Sequence, residues 1–143
     1  MIGIIISGHL NFASGIQSAV EAVLGQPEYV TFIDYDTSMS SNELARIYQR
    51  ELEKYDSTLF LVDLLGGTPC NVASSFLSSH EKVQVVSGVN LPMVLNAINE
   101  KDDMLLDELT EFVVQLSFES VKSIRELIEV PAQSNNSSNE VLL

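Results

Sequence analysis

Four short runs of apolar, largely β-branched residues recur along the chain, and each is followed by a segment whose apolar residues fall at helical spacing. That alternation constrains the fold more than any other feature. Strands separated by helices cannot form hairpins; they form βαβ units, a parallel sheet and helices packed on its faces. The runs are residues 2–7, 29–34, 58–63 and 82–87. Thr58-Leu59-Phe60-Leu61-Val62-Asp63 is apolar at nearly every position, as expected of a central strand covered on both sides.

The helical segments carry start and stop signals. Residues 12–24 place Ile16, Val20, Val23 and Leu24 on one face before Gly25. Ser40 and Glu43 make a capping-box pattern that opens a helix through about residue 53, with Leu44, Ile47, Tyr48 and Leu52 as its apolar face. Thr68 and Pro69 suit the N-cap and first position of a helix running to about residue 79. A Gly88-Val89-Asn90-Leu91-Pro92 turn leads into another helix, to about residue 100. A last stripe, Leu105, Leu106, Leu109, Phe112, Val113 and Leu116, predicts one helix over residues 104–127. The expected fold is a doubly wound α/β domain with a mainly parallel sheet of about four strands and helices on both faces. With 143 residues, one domain over residues 1–130 is expected to bury its own core. The segment 131–143, rich in Ser and Asn, reads as a polar, disordered tail.

The longest apolar runs are strand-length, well short of the ~20 residues of a membrane span. The first residues carry neither a basic region nor a small-residue cleavage site, so a cytoplasmic protein with no direct membrane insertion is expected. Its single cysteine, Cys70, agrees with a reducing compartment. A formal net charge of −13 disfavours binding to nucleic acid and anionic lipid and favours basic proteins or neutral ligands as partners. No Walker-type loop, G-x-G-x-x-G, G-x-S-x-G elbow or paired Cys/His metal spacing is found, so neither a metal nor a cofactor is expected.

In open α/β sheets ligands sit beyond the carboxyl ends of the strands, where neighbouring crossovers go to opposite faces. The exits here are Ser7-Gly8-His9, Asp34-Tyr35-Asp36, the run Asp63-Leu64-Leu65-Gly66-Gly67-Thr68-Pro69, and Gly88-Val89-Asn90. By position alone His9 is either a hydrogen-bonded turn histidine or a nucleophile. Asp63 is either a cap or a partner for His9. If it accepts a bond from His9 Nδ1–H, it fixes the tautomer with Nε2 unprotonated, and it stabilises the positive charge that a phosphoryl group brings to the ring. Gly66, Gly67 and Thr68 form a turn whose N–H groups and following helix N-terminus suit an anion. No Lys or Arg occurs in residues 1–45 or 59–81. A helix terminus alone contributes only about 0.3–2 kcal/mol, which suits a transient phosphate. His80, beside Glu81 at a helix end, is expected to satisfy the last carbonyls rather than do chemistry.

Three segments, Ile5-Ile6-Ser7-Gly8-His9, Leu61-Val62-Asp63-Leu64-Leu65-Gly66-Gly67-Thr68-Pro69-Cys70-Asn71 and Ser87-Gly88-Val89-Asn90-Leu91-Pro92-Met93, together resemble the mannose-family IIA component of the bacterial sugar phosphotransferase system. The resemblance runs to about Arg125. It implies that His9 is the phosphorylated histidine, Asp63 its orienting aspartate, and Gly66, Gly67 and Thr68 the phosphate-binding turn. It implies further that His9 takes a phosphoryl group from the carrier protein HPr and gives it to a histidine of the IIB component. The membrane permease IIC/IID is then served only indirectly, and the sugar is not specified by this chain. The family also implies a homodimer with an exchanged C-terminal edge strand, for which Ile128-Glu129-Val130 is the segment available. Two rivals remain: a IIA-like donor subunit feeding a dihydroxyacetone kinase, which shares the histidine chemistry, and a receiver-type signalling domain. A receiver needs an acidic pair after the first strand and a lysine near the last, and neither is present.

Overall fold

A computed structural model describes residues 1–129; Val130 of the expected edge strand and the whole segment 131–143 lie outside them. Four strands, β1 (Ile2–His9), β2 (Val30–Tyr35), β3 (Ser57–Val62) and β4 (Val83–Val86), form one sheet in the order β2-β1-β3-β4. Every pairing is parallel. The connections are helices: α1 (Phe12–Leu24), α2 (Ser41–Leu52) and α3 (Thr68–Ser74), with α4 (Leu91–Glu100), α5 (Leu106–Ser120) and α6 (Ile124–Glu129) after the last strand.

The sheet divides the core in two. Ile2, Ile4, Ile6, Leu59 and Leu61 face α1, α4 and α5, whereas Ile5, Phe60 and Val62 face α2 and α3. Side chains alternate between faces along a strand, so a run such as Ile4-Ile5-Ile6, apolar at every position, feeds both layers. Complete burial of each such side chain contributes about 1.5–3 kcal/mol. The crossover from β1 therefore leaves toward one face and that from β3 toward the other. These adjacent strands define the switch point of the sheet, and His9 and Asp63 stand at its two exits.

Three boundaries differ from those expected. α3 stops at Ser74 because serines compete with its ladder: Ser75 Oγ donates to the Val72 carbonyl at 2.6 Å, and residues 75–79 continue as turns. The helix expected over 104–127 is two helices, broken at residues 121–123 where Val121 is extended (φ −99°, ψ 108°). Ser123 restarts it, its hydroxyl accepting from the Glu126 N–H at 3.5 Å, a Ser-x-x-Glu start signal inside what reads as one apolar stripe. Ile128 and Glu129 consequently close α6 instead of forming an edge strand. α6 buries none of its residues, and Ile124, Leu127 and Ile128 share one exposed face. No helix among the described residues is long and apolar enough to cross a membrane.

Candidate functional site

β1 extends two residues beyond the expected Ser7, because Gly8 and His9 pair in register with Asp34 and Tyr35 of β2. His9 is thus held in the ladder rather than in a free turn. Its backbone N–H donates to Asp63 Oδ2 at 2.9 Å, and its ring Nδ1 lies 2.9 Å from the same oxygen. A carboxylate can only accept, so Nδ1 carries the proton, and in the neutral ring Nε2 keeps its lone pair. The two side chains are 37% and 13% exposed, respectively. The imidazole is open to the surface while the carboxylate bonded to it is largely shielded.

The surroundings fix the ring by close approach. Gly8 has no room for a side chain: a Cβ there would stand 2.6 Å from Phe12 Cδ1 and 2.9 Å from Asp63 Cγ. Gly67 is closed in the same way from the other side, since its Cβ would meet His9 Cε1 at 2.7 Å and Nε2 at 3.4 Å. The Cε1–Nε2 edge of the ring therefore lies over Gly67. Gly66 adopts φ +82°, a left-handed turn position that glycine takes without strain. Asn71 holds that turn from α3, its Nδ2 donating to the Gly66 carbonyl at 3.1 Å. Tyr35 sets its ring edge-on to His9, 5.7 Å between centroids at 84°.

Thr68 is the first helical residue of α3 rather than its N-cap; Gly67 is the cap, extended at φ −73° and ψ 166°. The physical reason is the packing just described, because the cap position lies against the His9 ring and admits no side chain. Thr68 instead lines a groove of mixed polarity with Ser41, Asn42, Asn71 and Val72, between α2 and α3. The N–H groups of Thr68 and Cys70 belong to the first helical turn, which leaves them without intrahelical acceptors.

The remaining exits are structural. Asp34 Oδ1 accepts from the Ser14 N–H at 2.9 Å, supplying the first turn of α1 with the acceptor that Asn11 does not. Asn90 caps α4, accepting from Met93 N–H at 3.1 Å, and reaches Ser120 Oγ with its amide. His80 Nδ1 lies 2.8 Å from Ser79 Oγ and 3.3 Å from the Phe76 carbonyl. The sequence places Gly8 and Tyr35 at strand exits and Asn71 in the segment that carries the family resemblance, without assigning any of them a role in the site.

Leu10, Leu64 and Leu65 surround this site on the β1–α1 and β3–α3 loops and are all exposed, Leu65 to 79%. Leu10 is moreover left-handed, at φ +48°, with its N–H donating to the Tyr35 carbonyl at 2.7 Å.

Residues 3–114 match the family model EIIA-man, described as the fructose IIA component of the phosphotransferase system. The chain belongs to this family. It is 35% identical over 128 residues to the mannose-specific EIIAB component of Escherichia coli, covering 87% of this chain but only 40% of that protein. To the fructose-specific EIIA component of Bacillus subtilis it is 27% identical, over 98% of both chains. The crystal structure of an EIIA component from Streptococcus agalactiae superposes with a TM-score of 0.83 at 38% identity, covering 87% of this chain and 98% of that one. The EIIA-man match spans both exits of the switch point, so His9, Asp63 and the Gly66–Gly67 turn all fall within it.

Proposed function

We propose that this chain is a phosphocarrier of a sugar phosphotransferase system, taking a phosphoryl group from phospho-HPr onto His9 Nε2 and passing it to a histidine of a IIB component. The observation that carries this reading is the tie of His9 Nδ1 and N–H to one oxygen of Asp63. It leaves Nε2, over Gly67, as the nucleophilic nitrogen on a partly exposed ring.

In the transfer, the Nε2 lone pair forms the new N–P bond as the donor's N–P bond breaks, and the donor nitrogen keeps that electron pair. The His9 ring becomes cationic with its proton still on Nδ1, and Asp63 faces that charge at 2.9 Å. Transfer to IIB reverses these changes. A loose transition state of this kind depends on alignment and on charge stabilisation of the phosphoryl oxygens. Gly66, Gly67 and Thr68 are the proposed binders of those oxygens, through N–H groups of the turn and the first turn of α3. With no basic residue in these loops the phosphoryl group is held weakly, as a relay requires. Leu10, Leu64 and Leu65 supply the apolar rim on which HPr and IIB would dock in turn. The reading includes a cytoplasmic location, a homodimer and an indirect link to the IIC/IID permease.

Incubation with phosphoenolpyruvate, enzyme I and HPr is expected to place acid-labile, base-stable phosphate on the protein, and His9→Ala to abolish it. Undiminished labelling of a folded His9→Ala protein would overturn the assignment. Chasing the label with IIB or with a dihydroxyacetone kinase, each purified, decides which acceptor the carrier serves.

A further inference from the structure

Beneath His9 lies a buried polar chain that the chemistry above does not use. Tyr48 of α2, fully buried, donates its hydroxyl proton to Ser7 Oγ at 2.6 Å. Ser7, also fully buried, donates in turn to the Ile33 carbonyl of β2 at 2.8 Å. Ser7 and His9 are two residues apart in β1, so they stand on the same face of the strand, one directly behind the other. Ile33 and Tyr35 are their register partners on β2. The chain therefore ties α2, β1 and β2 together one step before His9 meets Asp63 and Tyr35.

Asp63 has no comparable anchor of its own. Its Oδ1 is the buried side-chain oxygen that lacks a hydrogen-bond partner among the described residues, and Oδ2 is committed entirely to His9. No second hydrogen bond sets the angle of the carboxylate, so the alignment of the pair is set from the His9 side. That side is the end of β1. Productive geometry at such a site tolerates errors of about 0.5 Å, and β1 ends two residues after the brace.

We propose that Tyr48 is a positioning residue for phosphoryl transfer, acting through Ser7 to hold the end of β1 where the N–H and Nδ1 of His9 reach the same oxygen of Asp63. The proposal rests on the assignment of His9 as the phosphoryl acceptor. Tyr48 is suited to the task because its phenol stays protonated: burial pushes it well above the ordinary tyrosine range, and the nearby Asp63 carboxylate adds to the rise. Removing the hydroxyl is a confined change, since Ser7 keeps its bond to Ile33.

The test compares Tyr48→Phe with Phe76→Leu, a core change that stacks on Phe60 but leaves the polar chain intact. Rapid-quench phosphorylation by phospho-HPr and ¹⁵N spectra of the His9 imidazole are measured for each. Tyr48→Phe is expected to lower the transfer rate constant about tenfold with an unchanged KM for phospho-HPr, and to move the His9 ring nitrogens toward a mixed-tautomer pattern. Ser7→Ala is expected to do the same. Phe76→Leu is expected to melt earlier with the wild-type rate and nitrogen shifts. Wild-type rate and tautomer in Tyr48→Phe would overturn the positioning role, as would rate losses in Tyr48→Phe and Phe76→Leu that simply follow their losses of stability. If the wild-type protein accepts no phosphate, the assignment of His9 fails first, while the tautomer comparison still tests the brace.

Discussion

His9 presents two donors, its backbone N–H and its ring Nδ1, to a single oxygen of Asp63, each at 2.9 Å. A contact made by the ring alone would let the imidazole turn about its side-chain bonds; one shared with the backbone locks ring and strand end together. Hydrogen bonds to a charged group contribute about 1.5–3 kcal/mol, which translates to roughly ten- to hundredfold in rate. Asp63→Ala is accordingly expected to slow phosphorylation of His9 by that factor in rapid-quench assays, with the circular dichroism spectrum retained. An unaltered rate would remove the orienting role.

Gly67→Ala tests the closed wall beneath the ring. The backbone there is extended and accepts alanine without strain, but the new methyl would stand 2.7 Å from His9 Cε1. The ring must shift off its alignment with Asp63. A labelling rate lower by about tenfold or more, with stability reduced by about 1.5–3 kcal/mol as the ring's bond to Asp63 is lost and the circular dichroism spectrum retained, is the expected result.

Leu65→Ser addresses docking. The side chain is 79% exposed and contributes little to the fold. Its loss is expected to raise the KM for phospho-HPr about fivefold or more, in line with the ~1 kcal/mol or larger losses typical of an interface anchor, and to leave the rate at saturation unchanged. A change confined to the saturated rate would place Leu65 in alignment instead.

Alkaline stability should single out Tyr48. Its phenol is raised in the folded protein, chiefly by burial, so the folded state keeps a proton that the unfolded chain releases above about pH 10. The contribution is complete below that pH and declines as pH rises from it. Near pH 8 the wild type should exceed Tyr48→Phe by about 1 kcal/mol, the value of one buried hydrogen bond. Linkage removes up to ~1.4 kcal/mol per further pH unit, so urea midpoints measured toward about pH 11 should converge and then cross.

Much of this architecture is legible in the chain. The four strands and the mainly parallel sheet follow from apolar periodicity; the rule that ligands gather at strand exits makes His9 and Asp63 candidates for a pair, and the family resemblance is what selects that pairing over a turn histidine and a cap. The misread elements share a physical cause, competition between side chain and backbone. Ser75 and Ser79, whose hydroxyls donate to the Val72 and Phe76 carbonyls, replace the end of α3 with turns, and Ser123 starts a new helix within an apolar stripe. Thr68 was expected as a cap because its chemistry suits one, but the imbalance of space around His9, visible only in three dimensions, gives that position to glycine. Tyr35 lies in one of the strand exits read from the sequence, but its contact with His9 depends on the β1–β2 register, which single-strand patterns do not specify.

Leucine at position 10 sits in a conformation that a side chain occupies at a cost of about 1–2 kcal/mol and glycine does not. A chain selected for robustness alone would have little use for it there. Leu10→Gly should therefore give a protein that resists heat better and relays phosphate worse, with a higher KM for its donor. Under the proposed docking role, durability and recognition are set against each other at this one residue, and a search for hardier variants would be drawn first to the substitution that blunts docking.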